Sequence, residues 1–143
     1  MTQNWIYIDP IHPEEWVGFV YIIKNKTNGR IYIGKKVFWN NTKKKLTKTE
    51  IAEQTGPGRK PTHKVVTKES NWLTYWGSNK ELLEDVKKLG PDNFERKVLK
   101  LCKTKKQLTY YELHYQCIYE VLLNNSYNSN LLGKFYPGDL INN

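Results

Sequence analysis

Tyr21 and Tyr32 stand eleven positions apart in stretches rich in Val, Ile and Tyr, and the segment just after them is crowded with cations. Between Lys35 and Lys68 there are ten Lys and Arg against two Glu, a local +8 out of a chain total of +9. Charge concentrated in this way suits a polyanion held by phosphate contacts that release counterions. A solvated, lysine-rich loop that aids solubility has the same composition. Lys35, Lys43, Lys44, Lys45, Lys60 and Lys64 are the candidate phosphate contacts. A tyrosine pair on a sheet often only stabilises the strands across which it meets. Its two hydroxyls also both give and accept hydrogen bonds, so the face that carries them decides what they can do.

That face depends on a hairpin. Gly18 to Lys24 and Arg30 to Gly34 read as strands, joined by the polar run Asn25-Lys26-Thr27-Asn28-Gly29, which ends in a strong turn pair. A four-residue loop over 25–28 would set Tyr21 opposite Tyr32, and a tighter Asn28-Gly29 turn would offset them on one face. An odd-length loop with a bulge would separate them. Under either even-length turn Val20, Ile22, Ile31 and Ile33 share the other face, a better core face than one with two phenols.

Further along, Ser78-Asn79-Lys80-Glu81 has the form of a capping box before Leu82, Leu83, Val86 and Leu89, and Gly90-Pro91 closes a predicted helix over 79–89. Phe94 to Leu101 suits a third strand with imperfect alternation. Thr104 to Gln107 offers another capping box, and Leu108, Tyr111, Tyr115, Ile118 and Leu122 make a stripe for a helix over 105–123. Residues 1–17 form an irregular lead-in that packs Trp5 or Trp16 against the body, and 129–143 is a tail. The basic insert, 35–76, is mixed: a short helix near 49–54, then a loop over 56–61. Trp72, Tyr75 and Trp76 behind it suit the core or the stacking of bases.

Bulk properties agree with one folded domain over 1–143. A hydrophobic fraction of 38% and an aromatic fraction of 13% supply a core. No run approaches the roughly 18 apolar residues of a membrane span, and no export signal opens the chain. Cys102 and Cys117 demand neither a disulfide nor a zinc site, so a cytoplasmic setting is expected.

Phe19-Val20-Tyr21 and Tyr32-Ile33-Gly34 resemble the two signature halves of the GIY-YIG nuclease family, with Phe where the first half usually has Gly. The order of elements after them, with Glu112 on the last helix and Tyr127-Asn128 beyond it, resembles the family too, over roughly 18–128; the segment from 36 to about 77 fits poorly. The resemblance implies an α/β (α+β) fold with a small three-stranded, mainly antiparallel sheet flanked by helices. It further implies a DNA endonuclease, most similar to phage-encoded forms, with homing and restriction enzymes as other free-standing members. Glu112 would hold one divalent ion, Mg2+ or another such as Mn2+; Tyr21 would be the general base, with Lys35 or Lys36 lowering its pKa; and Tyr32 would orient water or a phosphate oxygen. Asn128 would pin the tail to the site. The family's helical arginine is missing ten residues after Tyr32, where Thr42 stands, so Arg59 is the choice for the scissile phosphate, with Lys36 in support. His63 is a lesser candidate as a helper. Capping with Thr109 is the structural alternative for Glu112. A homodimer on DNA stays open, and the rival reading is a non-catalytic nucleic-acid-binding module built on the insert.

Overall fold

The computed structural model describes residues 4–141. Its principal elements are β1 (Gly18–Asn25), β2 (Ile31–Val37), β3 (Trp39–Lys45), α1 (Lys48–Ala52), β4 (His63–Glu69), α2 (Lys80–Leu89), β5 (Phe94–Cys102), α3 (Lys105–Ile118) and α4 (Pro137–Leu140). Two compact units result: one holds the chain up to Phe38 and from Asn71 onward, and the other is Trp39–Ser70. No helix among the described residues is long and apolar enough to cross a membrane.

The first unit is built on an antiparallel sheet of order β2-β1-β5. Asn25 nucleates the β1–β2 turn: its side chain accepts from the Thr27 N–H and hydroxyl, and its backbone N–H donates to Arg30. The loop therefore spans 26–29, and the register sets Tyr21 opposite Gly34 and Tyr32 opposite Ile23. Tyr21 and Tyr32 thus lie diagonally on one face, as an offset even-length turn requires. Val20 and Ile33, flanked by Ile22 and Ile31, are buried on the other face with Leu108 of α3.

Both faces are covered. On the tyrosine side Trp5, Phe19, Phe38 and Trp72 pack ring against ring, and the Trp5 indole N–H donates to the Trp72 carbonyl at 2.7 Å. Trp72 is therefore core, and Trp5 is the lead-in's anchor. Arg96, 1% exposed, lies between the Trp5 and Trp76 rings and donates to the carbonyls of Leu73 and Tyr75, so one cation ties 72–76 to β5. Burial lowers its pKa to about 10.

Three expectations need correction. The N-cap of α2 is Asn79, whose side chain accepts from the Leu82 N–H, and Ser78 is released from capping. Glu81, no longer needed for a capping box, pairs with Arg30. Next, α3 stops at Ile118 rather than 123: Tyr119 caps it and Glu120 takes φ 47, leaving Ile118 exposed while Leu108 and Gln116 are buried. The helix is rotated so that Glu112 and Gln116, not an apolar stripe alone, face inward. Finally, the insert contains a ladder that its sequence hid: β3 and β4 pair antiparallel from Trp39–Glu69 to Lys45–His63, and the unit closes over 39–70. At the ribbon's end, α1 begins with a capping box between Thr47 and Glu50.

Candidate active site

The site lies at the open edge of β2. Alternate residues of an edge strand turn their N–H and C=O outward, where they need partners. The C-terminal segment supplies them. Ile31 receives Tyr127 N–H at its carbonyl and donates to Asn125. Asn128 serves both backbone groups of Ile33, its Oδ1 accepting at 3.0 Å and its Nδ2 donating at 2.9 Å, and Gln116 Nε2 donates to the same carbonyl at 3.2 Å. At the next outward residue, Lys35, the backbone N–H faces the Glu112 carboxylate.

Beside this edge opens a cleft of about 370 Å³ lined by Tyr32, Ser78, Asn79, Glu112, Gln116 and Asn128, among others, all from the first unit. Tyr32 Oη and Ser78 Oγ are 3.2 Å apart. Tyr21 packs against Tyr32 at 6.2 Å between ring centroids, 1% exposed, and meets Tyr75 edge-on at 6.1 Å. The glycines explain the close fit. An ideal Cβ on Gly34 would stand 2.5 Å from Tyr21 Oη and 3.1 Å from the Tyr32 ring, and one on Gly77, at φ +90, would lie 3.4 Å from each. At Gly34 only backbone fits over the two phenols, and at Gly77 the positive φ favours glycine.

Electrostatics distinguish the groups. The Tyr21 phenol is raised well above the ordinary tyrosine value by burial, then by the nearby Tyr32, Tyr75 and Glu112. This corrects the expectation that a lysine lowers it. Lys35 donates instead to Thr109 Oγ1 at 2.9 Å, on the α3 side, and Lys36 sits 4.0 Å over the Tyr75 ring, its pKa lowered by burial. Tyr32 is also raised, chiefly by burial, with Ser78 opposing. Burial raises Glu112 as well, opposed by the charge and backbone N–H of Lys35. Thr109 hydrogen-bonds to Lys35, so its hydroxyl has another partner than Glu112.

The residues singled out from sequence divide between the units. Tyr21, Tyr32, Lys35, Lys36, Glu112 and Asn128 belong to the unit with the cleft. Arg59 and Lys60 lie on the loop of the other unit, and Lys43, Lys44, Lys45, Lys64 and His63 lie on its strands. Ser78 and Gln116 are site residues that the sequence reading does not single out, and Tyr75, a candidate for the core or for stacking on bases, packs edge-on against Tyr21. Gln116 was findable, because it follows Glu112 by one helical turn on the same flank. Ser78 was disguised as a helix cap.

Asn128 yields an expected result. With Asn128→Ala the Ile33 N–H loses its partner in a part-buried position, which costs about 1–3 kcal/mol. A thermal melt should show that loss together with reduced activity; an unchanged melting temperature would mean that water replaces the amide freely.

No group of three or more His, Cys, Asp and Glu able to hold a metal occurs among the described residues. In the cleft lining Glu112 is the single carboxylate, among hydroxyls and amides. Such a donor set fits a hard cation that keeps most of its shell as water and phosphate oxygens, and does not fit zinc.

No curated protein and no solved structure matches the chain. One family model does, described as "Putative endonuclease segE, GIY-YIG domain", and it matches residues 5–136. With the motif tyrosines on one face, the glycine beneath them and the glutamate of α3 at the strand edge, the chain belongs to the GIY-YIG nuclease family.

Proposed function

We propose that the chain is a metal-dependent DNA endonuclease whose reaction centre is the cleft at the β2 edge. The observation that carries this reading is the convergence of Tyr32 and Glu112, eighty positions apart in sequence, on one polar cleft with Tyr21 directly behind. Phosphodiester hydrolysis needs a deprotonated water, stabilisation of the charge at phosphorus and help for the leaving oxygen. Glu112 would hold one divalent ion, magnesium or manganese, which when bound supplies a Lewis acid for the phosphate.

The remaining tasks fall to this chain's own groups. Tyr32 Oη, steadied by Ser78, orients water or a phosphate oxygen in the cleft. Tyr21 Oη is the proton acceptor, its ring held edge-on against Tyr75. Lys36, on the tyrosine face of β2 and in the unit with the cleft, is the cation proposed for the scissile phosphate, while Arg59 is proposed for DNA contact from the second unit. Asn128 and Gln116 hold the strand that carries Tyr32.

Incubating plasmid and magnesium with the protein, Tyr21→Phe and Glu112→Ala tests the proposal. Wild type should nick the plasmid and both variants should not; equal nicking by all three rejects the mechanism, and a wild type that binds the plasmid without nicking it leaves a binding module. A pH profile tests the base separately. Because the Tyr21 pKa is raised, the reactive phenolate grows by about tenfold per pH unit across the neutral and mildly alkaline range, without a plateau below pH 10. The rate should climb in step. On the acid side it should fall as Glu112 takes up its proton and gives up the cation. A rate flat from pH 7 to 10 excludes Tyr21 as the base.

A further inference from the structure

The second unit is a two-stranded antiparallel ribbon of seven residue pairs, with nearly every side chain exposed on both faces. An isolated two-stranded hairpin is marginal in water, and this one holds little that could pack. Its eight basic residues against three acidic ones leave it strongly cationic. The pairing divides its side chains into two rows. One face carries Asn40, Thr42 and Lys44 opposite Lys68, Val66 and Lys64, and on it Lys64 is bound to Glu50 at 2.6 Å. The other carries Asn41, Lys43 and Lys45 opposite Thr67, Val65 and His63, with its one acid, Glu69, at the base beside Trp39.

This second face has the chemistry of a reader of base edges. Val65 is 63% exposed, an apolar β-branched side chain set among polar ones. Beside it the Thr67 hydroxyl donates to Asn41 Oδ1 at 2.8 Å, which fixes the Asn41 amide and leaves its Nδ2 pointing its two donors elsewhere. An amide can address a base edge, a methyl-bearing side chain can meet the thymine methyl, and flanking lysines can meet phosphates. The dimensions agree: strands about 4.8 Å apart with their side chains fit a major groove about 12 Å wide, whereas a minor groove about 6 Å wide excludes a ribbon.

We infer that the β3–β4 ribbon lies in the major groove of duplex DNA with the Asn41, Lys43, Lys45, Val65 and Thr67 face against the bases. This deepens the nuclease proposal and rests on its DNA substrate. It assigns to the insert a defined face and groove in place of a diffuse charge.

The test measures binding of the full chain to a fluorescent duplex without divalent cation, so that no cutting occurs. Wild type should bind a mixed-sequence duplex and lose at least about tenfold in affinity when every thymine is replaced by uracil with a bulky C5 linker, which fills the major groove. Netropsin, which fills the minor groove, should leave binding within about twofold. Lys43→Ala with Lys45→Ala should reduce the slope of log affinity against log salt by about 2, and Lys44→Ala with Lys68→Ala, on the opposite face, by less than about 1. Circular dichroism establishes that these surface variants fold. Binding indifferent to the C5 linkers, or equal slopes for the two pairs, overturns the ribbon assignment and leaves DNA binding intact. Failure of wild type to bind any duplex at low salt overturns the DNA reading itself and the ribbon with it.

Discussion

Glu112→Gln is expected to lose about a thousandfold or more in plasmid cutting while melting at a higher temperature than wild type at neutral pH. The activity loss follows from losing the single carboxylate of the cleft lining, which the proposal charges with several kcal/mol of stabilisation at the phosphate. The stability gain follows from the direction of the pKa shift. Burial raises the folded-state value of Glu112 above its unfolded one, so its contribution to stability is intact below the unfolded pKa and is lost as pH rises through the folded pKa. At pH 7 the ionised carboxylate is therefore a burden that the neutral amide removes. Melts of both proteins at pH 7 and near pH 4 check this, because the advantage of the amide variant should vanish at the lower pH. A variant that cuts within tenfold of wild type, or melts lower at pH 7, contradicts the assignment.

Gly34→Ala should be less damaging to activity, with a loss of about a hundredfold, and more damaging to the fold. The added methyl would stand 2.5 Å from Tyr21 Oη, and Tyr21 is packed between Trp5 and Tyr75 with no room to retreat. Overpacking of this kind costs about 1–3 kcal/mol. Relief requires one phenol to swing away from the cleft, and misplacing a reacting group by about 1 Å costs on the order of a hundredfold in rate. A melting curve with single-turnover cutting checks both halves. An alanine variant with normal rate would show that the tyrosine positions are unimportant.

Much of the first unit was legible because its residues obey burial. β-branched residues around an Asn-Gly turn, two helices with Ser/Asn and Thr caps, and the family signature led to the sheet and to Tyr21, Tyr32, Glu112 and Asn128 as a group. The third strand looked irregular for a reason now visible. A bulge lies where Val20 pairs with Lys100 and Tyr21 with Val98, so Leu99 is an extra residue and the burial pattern changes phase behind it. Other features left no trace. The strand Trp-Asn-Asn-Thr-Lys-Lys-Lys has no period because neither of its faces is buried, and a periodicity argument has nothing to detect there. Arg96 alternates in phase with the buried Phe94 and Val98 yet is a residue type that sequence alone assigns to the surface; it lies in the core because two indole rings and two carbonyls from distant segments enclose the cation. The orientation of α3 escaped because Glu112 and Gln116 face inward, against the rule that apolar residues mark the buried side.

The dependence of β2 on Asn125, Tyr127 and Asn128 sets a timetable for the growing polypeptide. The groups that fasten the strand are translated about a hundred residues after the motif tyrosines. A nascent chain interrupted before Asn128 would carry the signature without a braced strand.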